Sequence, residues 1–297
     1  MTSNTPPVCN YENSQYQKDF WDEGGRAYED AAEEIALKRL LPGGGNFMLE
    51  LGAGAGRNTP RYKNFKRVAL VDYSRTQLEQ ARDRLGLNQR YVFVAADIYK
   101  LPFVNGRFDG ATMIRTLHHM AEPILALSQV RRVLVSEGIF ILEFANKRNL
   151  KAIGRYLLGR QAWNPFAEEP VEFADLNFDF HPKAVRHYLD QAGFEIAKQL
   201  TVSHFRVGFL KRRIPLKILT GLDALLQPTG ALIQVSPSVF SKCFAVGDTG
   251  AAEEDHLFQC PVCDSLLPGG EMDQVCNECG RTWDFRDGIY DFRVDQK

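Results

Sequence analysis

The sequence predicts an α/β fold: a mostly parallel sheet covered by helices on both faces, with a small cysteine-bearing module at its C-terminus. Three observations carry this. Short apolar runs alternate with helix-like segments from residue 46 onward, the pattern that builds βαβ units. The first runs end on acids, at Glu50, Asp72 and Asp97, as strand tips facing a polar ligand do. Between the first run and the next helix-like segment stands Gly52-Ala53-Gly54-Ala55-Gly56, with glycine at every second position.

Residues 1–45 form an N-terminal cap and helix. Ala27 to Leu41 places Ala31, Ile35, Leu37, Leu40 and Leu41 at helical spacing and is stopped by Pro42 and three glycines. Strands are expected at 46–51, 67–72, 91–96, 108–114, 138–145, 194–202 and 238–246, the last one antiparallel. Helices are expected at 58–65, 74–86, 122–135 and 181–191. The main domain spans 46–248 and is interrupted by insertions at 146–180 and 205–236. A short linker over 247–255 precedes the module at 256–297.

With 44% hydrophobic and 25% charged residues, the composition is that of an ordinary globular chain, and a formal charge of −1 excludes binding to polyanions by net charge. The N-terminus has no basic and apolar leader pattern, and no apolar run approaches the ~18 residues of a membrane span. The expected location is cytoplasmic.

The residues around the glycine turn specify a ligand. Glycine is needed where the chain takes positive φ or where no Cβ fits between backbone and ligand. Asp72 lies 22 residues after Glu50, the distance at which the second strand tip of a βαβ unit meets ribose hydroxyls. The glycine spacing is G-x-G-x-G, tighter than the form that cradles pyrophosphate, and Asp97 at the third tip suits an exocyclic amine. Adenosine without a phosphate chain fits this set. Taken singly, each residue is equally a turn glycine or a helix-capping acid.

With E-L-G-A-G-A-G at 50–56, V-D-Y-S at 71–74, A-D-I at 96–98, L-P-F at 101–103, R-F-D-G at 107–110 and L-H-H at 117–119, residues 20–248 resemble a class I S-adenosylmethionine-dependent methyltransferase of the type 11 kind. The resemblance implies a Rossmann-like seven-stranded sheet. It also implies that Gly52 and Gly54 approach the methionine part of the cofactor, that Asp72 holds the ribose, and that Asp97 with Ile98 holds the adenine. Glu50, Gly56, Tyr73, Arg115 and Tyr28 complete the expected cofactor set. Phe20, Trp21, Arg26 and Tyr28 sit where such enzymes fold a cap over the cofactor, or else belong to a packing helix.

Four of the six cysteines form Cys260-Pro261-Val262-Cys263 and Cys276-Asn277-Glu278-Cys279. Two C-x-x-C pairs at this separation read as one structural zinc held by four thiolates, with paired redox dithiols as the weaker alternative. C-P-V-C at 260–263, C-N-E-C-G-R at 276–281 and F-R-D-G-I at 285–289 resemble the zinc ribbon of the small subunit that activates tRNA and release-factor methyltransferases. A Cys276→Ser change is expected to unfold this ribbon while the larger domain keeps its cofactor.

On the acceptor side, Ile114 to His119 holds neither the Pro-Pro-Tyr type sequence of amino-group methylation nor a Pro-Cys nucleophile. His118 or His119 is the candidate general base, since imidazole titrates near neutrality; the alternative is a helix cap or a pocket-lining role. Arg115 serves an anionic acceptor or a surface ion pair.

The leading reading is methyl transfer to a small-molecule or lipid-like acceptor, with an RNA methyltransferase and a non-catalytic S-adenosylmethionine-binding scaffold as the alternatives. Between 256 and 297 eight acids face four bases, which disfavours nucleic acid. The ribbon is then a stabilising element or the dock for a protein partner. Five bases at 147–160 and five at 206–217 are interleaved with leucines and isoleucines, which suits peripheral contact with an anionic membrane. The competing reading is two solvated helices whose leucines cover the core.

Overall fold

A ten-stranded sheet runs through the molecule in the spatial order Gln274–Val275, Thr282–Arg286, Ile289–Asp291, Tyr91–Ala95, Phe65–Asp72, Gly45–Leu51, Phe108–Met113, Leu134–Ala145, Ser238–Ala245 and Phe194–Val202. The computed structural model describes residues 6–14, 17–250 and 256–294. Strands β1 (Gly45–Leu51), β2 (Phe65–Asp72), β3 (Tyr91–Ala95), β4 (Phe108–Met113) and β5 (Leu134–Ala145) are mutually parallel. Val68, Ala69, Leu70 and Val71 are each fully buried, which is why this run is continuously apolar rather than alternating. On the far side, β9 (Ser238–Ala245) is inserted antiparallel between β5 and β8 (Phe194–Val202).

The sheet therefore exceeds the expected seven strands, and the additional three come from the C-terminal module. Strand β12 (Ile289–Asp291) pairs parallel to β3, and β11 (Thr282–Arg286) and β10 (Gln274–Val275) follow it outward. Phe258 stacks on Phe103 at 5.6 Å and meets Phe292 at 4.9 Å, while Phe103 meets Phe108 at 4.9 Å. The module thus shares one hydrophobic core with the main sheet. Thiolate-bearing turns bury too little apolar surface to stand alone, and the exposed edge of β3 supplies what they lack.

Helices α1 (Ala27–Leu40), α2 (Arg75–Leu85), α3 (Pro123–Val133) and α5 (Pro182–Gln191) lie where periodicity placed them. Residues 58–65 do not form an α-helix, because Pro60 and the return into β2 leave room only for one 3₁₀ turn, Thr59–Tyr62. The buried face of α1 also differs from the apolar stripe in the sequence. It consists of Tyr28, Ala32, Ala36, Leu37 and Leu40 together with Glu29 and Glu33, and the two acids are buried because arginines and a lysine reach them.

Both insertions leave the carboxyl edge of the parallel strands. The first contains α4 (Leu150–Leu157) and a hairpin of β6 (Val171–Ala174) and β7 (Asn177–Asp179). The second contains α6 (Gly208–Arg213) and α7 (Leu216–Leu226). No helix among the described residues is long and apolar enough to cross a membrane. Of the linker over 247–255, residues 251–255 lie outside the described residues.

Candidate cofactor site and metal centre

The turn after β1 is built around positive φ. Gly52, Gly54 and Gly56 have φ of 65°, 53° and 71°. At Gly52 a Cβ would meet Thr116 Oγ1 at 2.0 Å, so only glycine fits there. The turn is tied to the neighbouring strand tip. Asp72 Oδ2 accepts from the Gly54 N–H and Oδ1 from the Ser74 N–H, each at 2.9 Å. Burial pushes the Asp72 carboxyl above its usual range, and these two N–H donors oppose that. At the third tip, Asp97 Oδ1 accepts from the Tyr99 N–H at 2.9 Å, and burial raises its pKa as well.

These groups converge on one cavity, with about 690 Å³ of unfilled space counted out to its mouth. Of the residues singled out in the sequence, Gly52, Gly54, Asp72, Tyr73, Asp97, Ile98, Arg115 and His119 line it. A second, connected hollow shares Gly52, Gly54, Gln77 and Arg115 and is walled by Trp21 and Arg57.

Four of the chosen residues lie elsewhere. Glu50 sits behind the turn, accepts from Thr59 Oγ1 at 2.6 Å, and is raised by burial to about 7. Gly56 packs against Leu85 and Ala81 of α2. Tyr28 donates to Asp223 Oδ2 at 2.6 Å and accepts from the Phe205 N–H, fastening α1 to the second insertion. His118 is not part of the cavity wall; burial, together with the nearby Arg115 and Arg206 guanidiniums, holds its pKa well below the ordinary value.

The sequence did not single out Val8, Cys9, Tyr11, Gln77, Thr116 or Met120, all of which line the cavity. The N-terminal segment reaches it because Glu12 accepts from the Arg75 and Thr76 N–H groups at 3.0 and 3.1 Å, capping α2. Glu12 also pairs with Arg293 at 3.0 Å. Nothing periodic marks residues 6–14, so no sequence signal could have placed them. Gln77 was within reach, because Ser74 caps α2 and its third residue must face the turn.

His119 has a defined tautomer. Its Nδ1 lies 3.0 Å from the Leu176 carbonyl, which only accepts, so Nδ1 carries the proton. Nε2 then bears the lone pair, 3.2 Å from the Tyr11 hydroxyl. Burial lowers the pKa and keeps the ring neutral. Arg115, at φ 54°, is held by Glu143, which accepts its N–H at 2.8 Å, and by Glu33, which accepts from Nε at 2.7 Å. Burial alone would raise the Glu33 pKa, but the Arg115 and Arg57 guanidiniums outweigh it and hold the carboxylate low. The Arg57 guanidinium stacks on Trp21 at 3.5 Å and that of Arg115 lies 5.0 Å from the same ring. Of the expected cap, Trp21 is the residue that borders the site.

In the C-terminal module the sulfurs of Cys260, Cys263, Cys276 and Cys279 all lie within 4.8 Å of one another. Cys260 and Cys279 are 3.7 Å apart and Cys263 and Cys276 3.4 Å, too far for disulfides. A zinc–sulfur bond of ~2.3 Å in a tetrahedron requires sulfurs about 3.8 Å apart, so the donor set fits one zinc ion. The two turns that aim them are closed by Asp264 N–H to Cys260 O and by Gly280 N–H to Cys276 O, each at 2.9 Å.

Comparison with known proteins agrees with this geometry. Residues 49–142 match the methyltransferase domain family. The ubiquinone/menaquinone biosynthesis C-methyltransferase UbiE of Pseudomonas savastanoi is 30% identical over 170 residues, covering 51% of this chain and 66% of that protein. A chain from the complex between the Haloferax volcanii Trm112 methyltransferase activator and a methyltransferase superposes with a TM-score of 0.55 at 16% identity, over 78% of this chain and 96% of that one. An S-adenosylmethionine-dependent methyltransferase from Mesorhizobium loti gives 0.53 at 21% identity, over 73% and 99%. Residues 49–142 therefore resemble a methyltransferase domain, and the chain has the fold seen in S-adenosylmethionine-dependent methyltransferases.

Proposed function

We propose that this chain is an S-adenosylmethionine-dependent methyltransferase acting on a small, apolar or lipid-like acceptor. The observation that carries the reading is the convergence of Gly52, Gly54, Asp72 and Asp97 on one cavity at the carboxyl ends of β1, β2 and β3. Two carboxylates stand there with lone pairs to spare, one beside a backbone turn open to close approach. Ribose hydroxyls on Asp72 and the adenine amine on Asp97 use them.

S-adenosylmethionine supplies an activated methyl group, and the protein must orient an acceptor and remove its proton where the acceptor atom carries one. Neutral His119 holds a lone pair on Nε2, and Tyr11 stands against it as a hydroxyl that relays or orients. Together they take the acceptor's proton at the cavity wall. Arg115 is neutralised by Glu33 and positions Trp21 rather than binding an anion. The Pseudomonas relative is by its name a C-methyltransferase of ubiquinone/menaquinone biosynthesis, and an apolar acceptor suits a wall containing Val8, Ile98 and Met120.

Cys260, Cys263, Cys276 and Cys279 would hold one structural zinc, which supplies folding free energy to the ribbon and takes no part in transfer. Four clustered cysteines that form no disulfide fit a reducing compartment, and the cytoplasm is the location this reading implies. Nucleic acid is disfavoured by the ribbon's excess of acids. Calorimetry with S-adenosylmethionine, followed by transfer of its labelled methyl into quinone, phenol and lipid fractions, tests the reading. Absence of cofactor binding would refute it outright, and binding without transfer into any fraction would leave the scaffold in its place.

A further inference from the structure

Most leucines of the two insertions face water rather than the core. In α7 only Leu219 among the leucines and isoleucine is buried, whereas Leu225 is 77% exposed. No residue of α6 is buried, and Leu232, just beyond α7, is 89% exposed. In α4 the buried residue is Ala152, with Leu157 and Leu158 at 73% and 68%. The two insertions meet, since the Leu150 N–H donates to the Val235 carbonyl at 2.9 Å. Water-facing apolar surface on this scale marks an interaction site.

Charge identifies what it meets. From residue 203 to 237 the only acid is Asp223, which is buried and bonded to Tyr28 and His204. Arg212, Arg213 and Lys217 are exposed on the same two helices, and Lys151, Arg155 and Arg160 are exposed on or just beyond α4, a stretch that holds no acid. Lys211 and Arg206, by contrast, are turned inward to Glu29. A second copy related by a twofold axis would set these bases against one another. Exposed leucines alternate with exposed bases along the same helices, a pattern that suits a bilayer surface better than a folded partner.

We propose that α4, α6 and α7 form a docking surface for an anionic lipid bilayer. Leucines would enter the headgroup boundary while the arginines and lysines meet the lipid phosphates. Both insertions leave the carboxyl edge that carries the cofactor cavity, and the first returns over it, where the Leu176 carbonyl bonds His119. An acceptor dissolved in the membrane would thus reach the site from the docked face, an extension that rests on the methyltransferase reading.

The test is co-sedimentation of the full chain with phosphatidylcholine vesicles, with and without about 30% phosphatidylglycerol, at low and high salt. Pelleting is expected with the anionic vesicles at low salt and is expected to be lost at high salt. It should weaken at least about tenfold in the triple variant Arg212→Glu/Arg213→Glu/Lys217→Glu and in Leu225→Ser/Leu232→Ser. Leu158→Ser, at the C-terminal end of α4, provides an independent variant, and unchanged cofactor affinity shows that each variant is folded. No pelleting at low salt, or equal pelleting with neutral vesicles, would overturn the proposal. So would a dimer in light scattering that the leucine variants dissolve. Vesicle binding by a chain that fails to bind S-adenosylmethionine would sink the methyltransferase reading and leave this one standing.

Discussion

Asp72 Oδ2 accepts the Gly54 N–H at 2.9 Å, so the acid at the tip of β2 holds the glycine turn at the tip of β1. One carboxylate thereby shapes the cavity and offers its remaining lone pairs to a ligand. Asp72→Ala should lower affinity for S-adenosylmethionine and for its demethylated product by roughly 10- to 150-fold, from ~1.5–3 kcal/mol of charge-assisted hydrogen bonding. Asp72→Asn keeps one acceptor oxygen and should fall between. Calorimetry giving wild-type affinity for the alanine variant would remove Asp72 from the ribose assignment.

Gly52→Ala probes the turn from the other side. A Cβ would collide with Thr116 Oγ1, which itself donates to the Leu51 carbonyl at 3.2 Å and cannot swing away freely. Positive φ adds strain for any residue with a Cβ. Together these should cost about 2–4 kcal/mol in urea unfolding, with the cofactor site distorted. Gly86, also at positive φ but with open space around its Cβ position, is the control. Gly86→Ala, at φ 77° and ψ 155° in a region essentially reserved for glycine, should carry the backbone strain alone, about 1–3 kcal/mol, and keep cofactor affinity.

How much of this was legible in the sequence follows from where the forces are local. The turn glycines, the strand-tip acids and the paired cysteines announce themselves, because each needs a particular residue type at a fixed spacing. Glu29 and Glu33 were hidden, because their partners Lys211, Arg57 and Arg115 come from distant segments. The extension of the sheet to ten strands was hidden too: Ile289 pairs with Phe93 through backbone groups that carry no sequence signature. Tyr11 and Glu12 belong to a segment without periodicity and are placed by α2 and Arg293.

His119 sets an expectation for pH. Burial lowers its pKa, so the native imidazole stays neutral below the ordinary 6.5 while the unfolded chain's ring protonates there. Stability contributed by the neutral ring is therefore complete above 6.5 and is lost as pH falls through the window beneath it. If His119 is the base, methyl transfer should stay level down to about 6.5 and decline only below that. His119→Asn should cut turnover by about 10²-fold or more with cofactor affinity kept. Turnover by the asparagine variant at the parent rate would end its assignment as base.

Metal removal reaches further than the ribbon. Metal analysis should find one zinc per chain, and Cys276→Ser should lose it. A ribbon that was an independent module would leave the cofactor site untouched. Here β12 pairs with β3, the strand that leads into Asp97, and Arg293 pairs with Glu12, whose carboxylate caps α2 and anchors the segment bearing Val8 and Tyr11 over the cavity. Loss of zinc should therefore weaken S-adenosylmethionine binding, by about tenfold for a loss near 1.4 kcal/mol. Arg293→Ala isolates the second connection, because it leaves the cysteines intact. It should retain zinc and still bind cofactor several-fold more weakly. Chelated protein and the Cys276→Ser variant binding cofactor as tightly as the parent would show that the shared core does not transmit to the site.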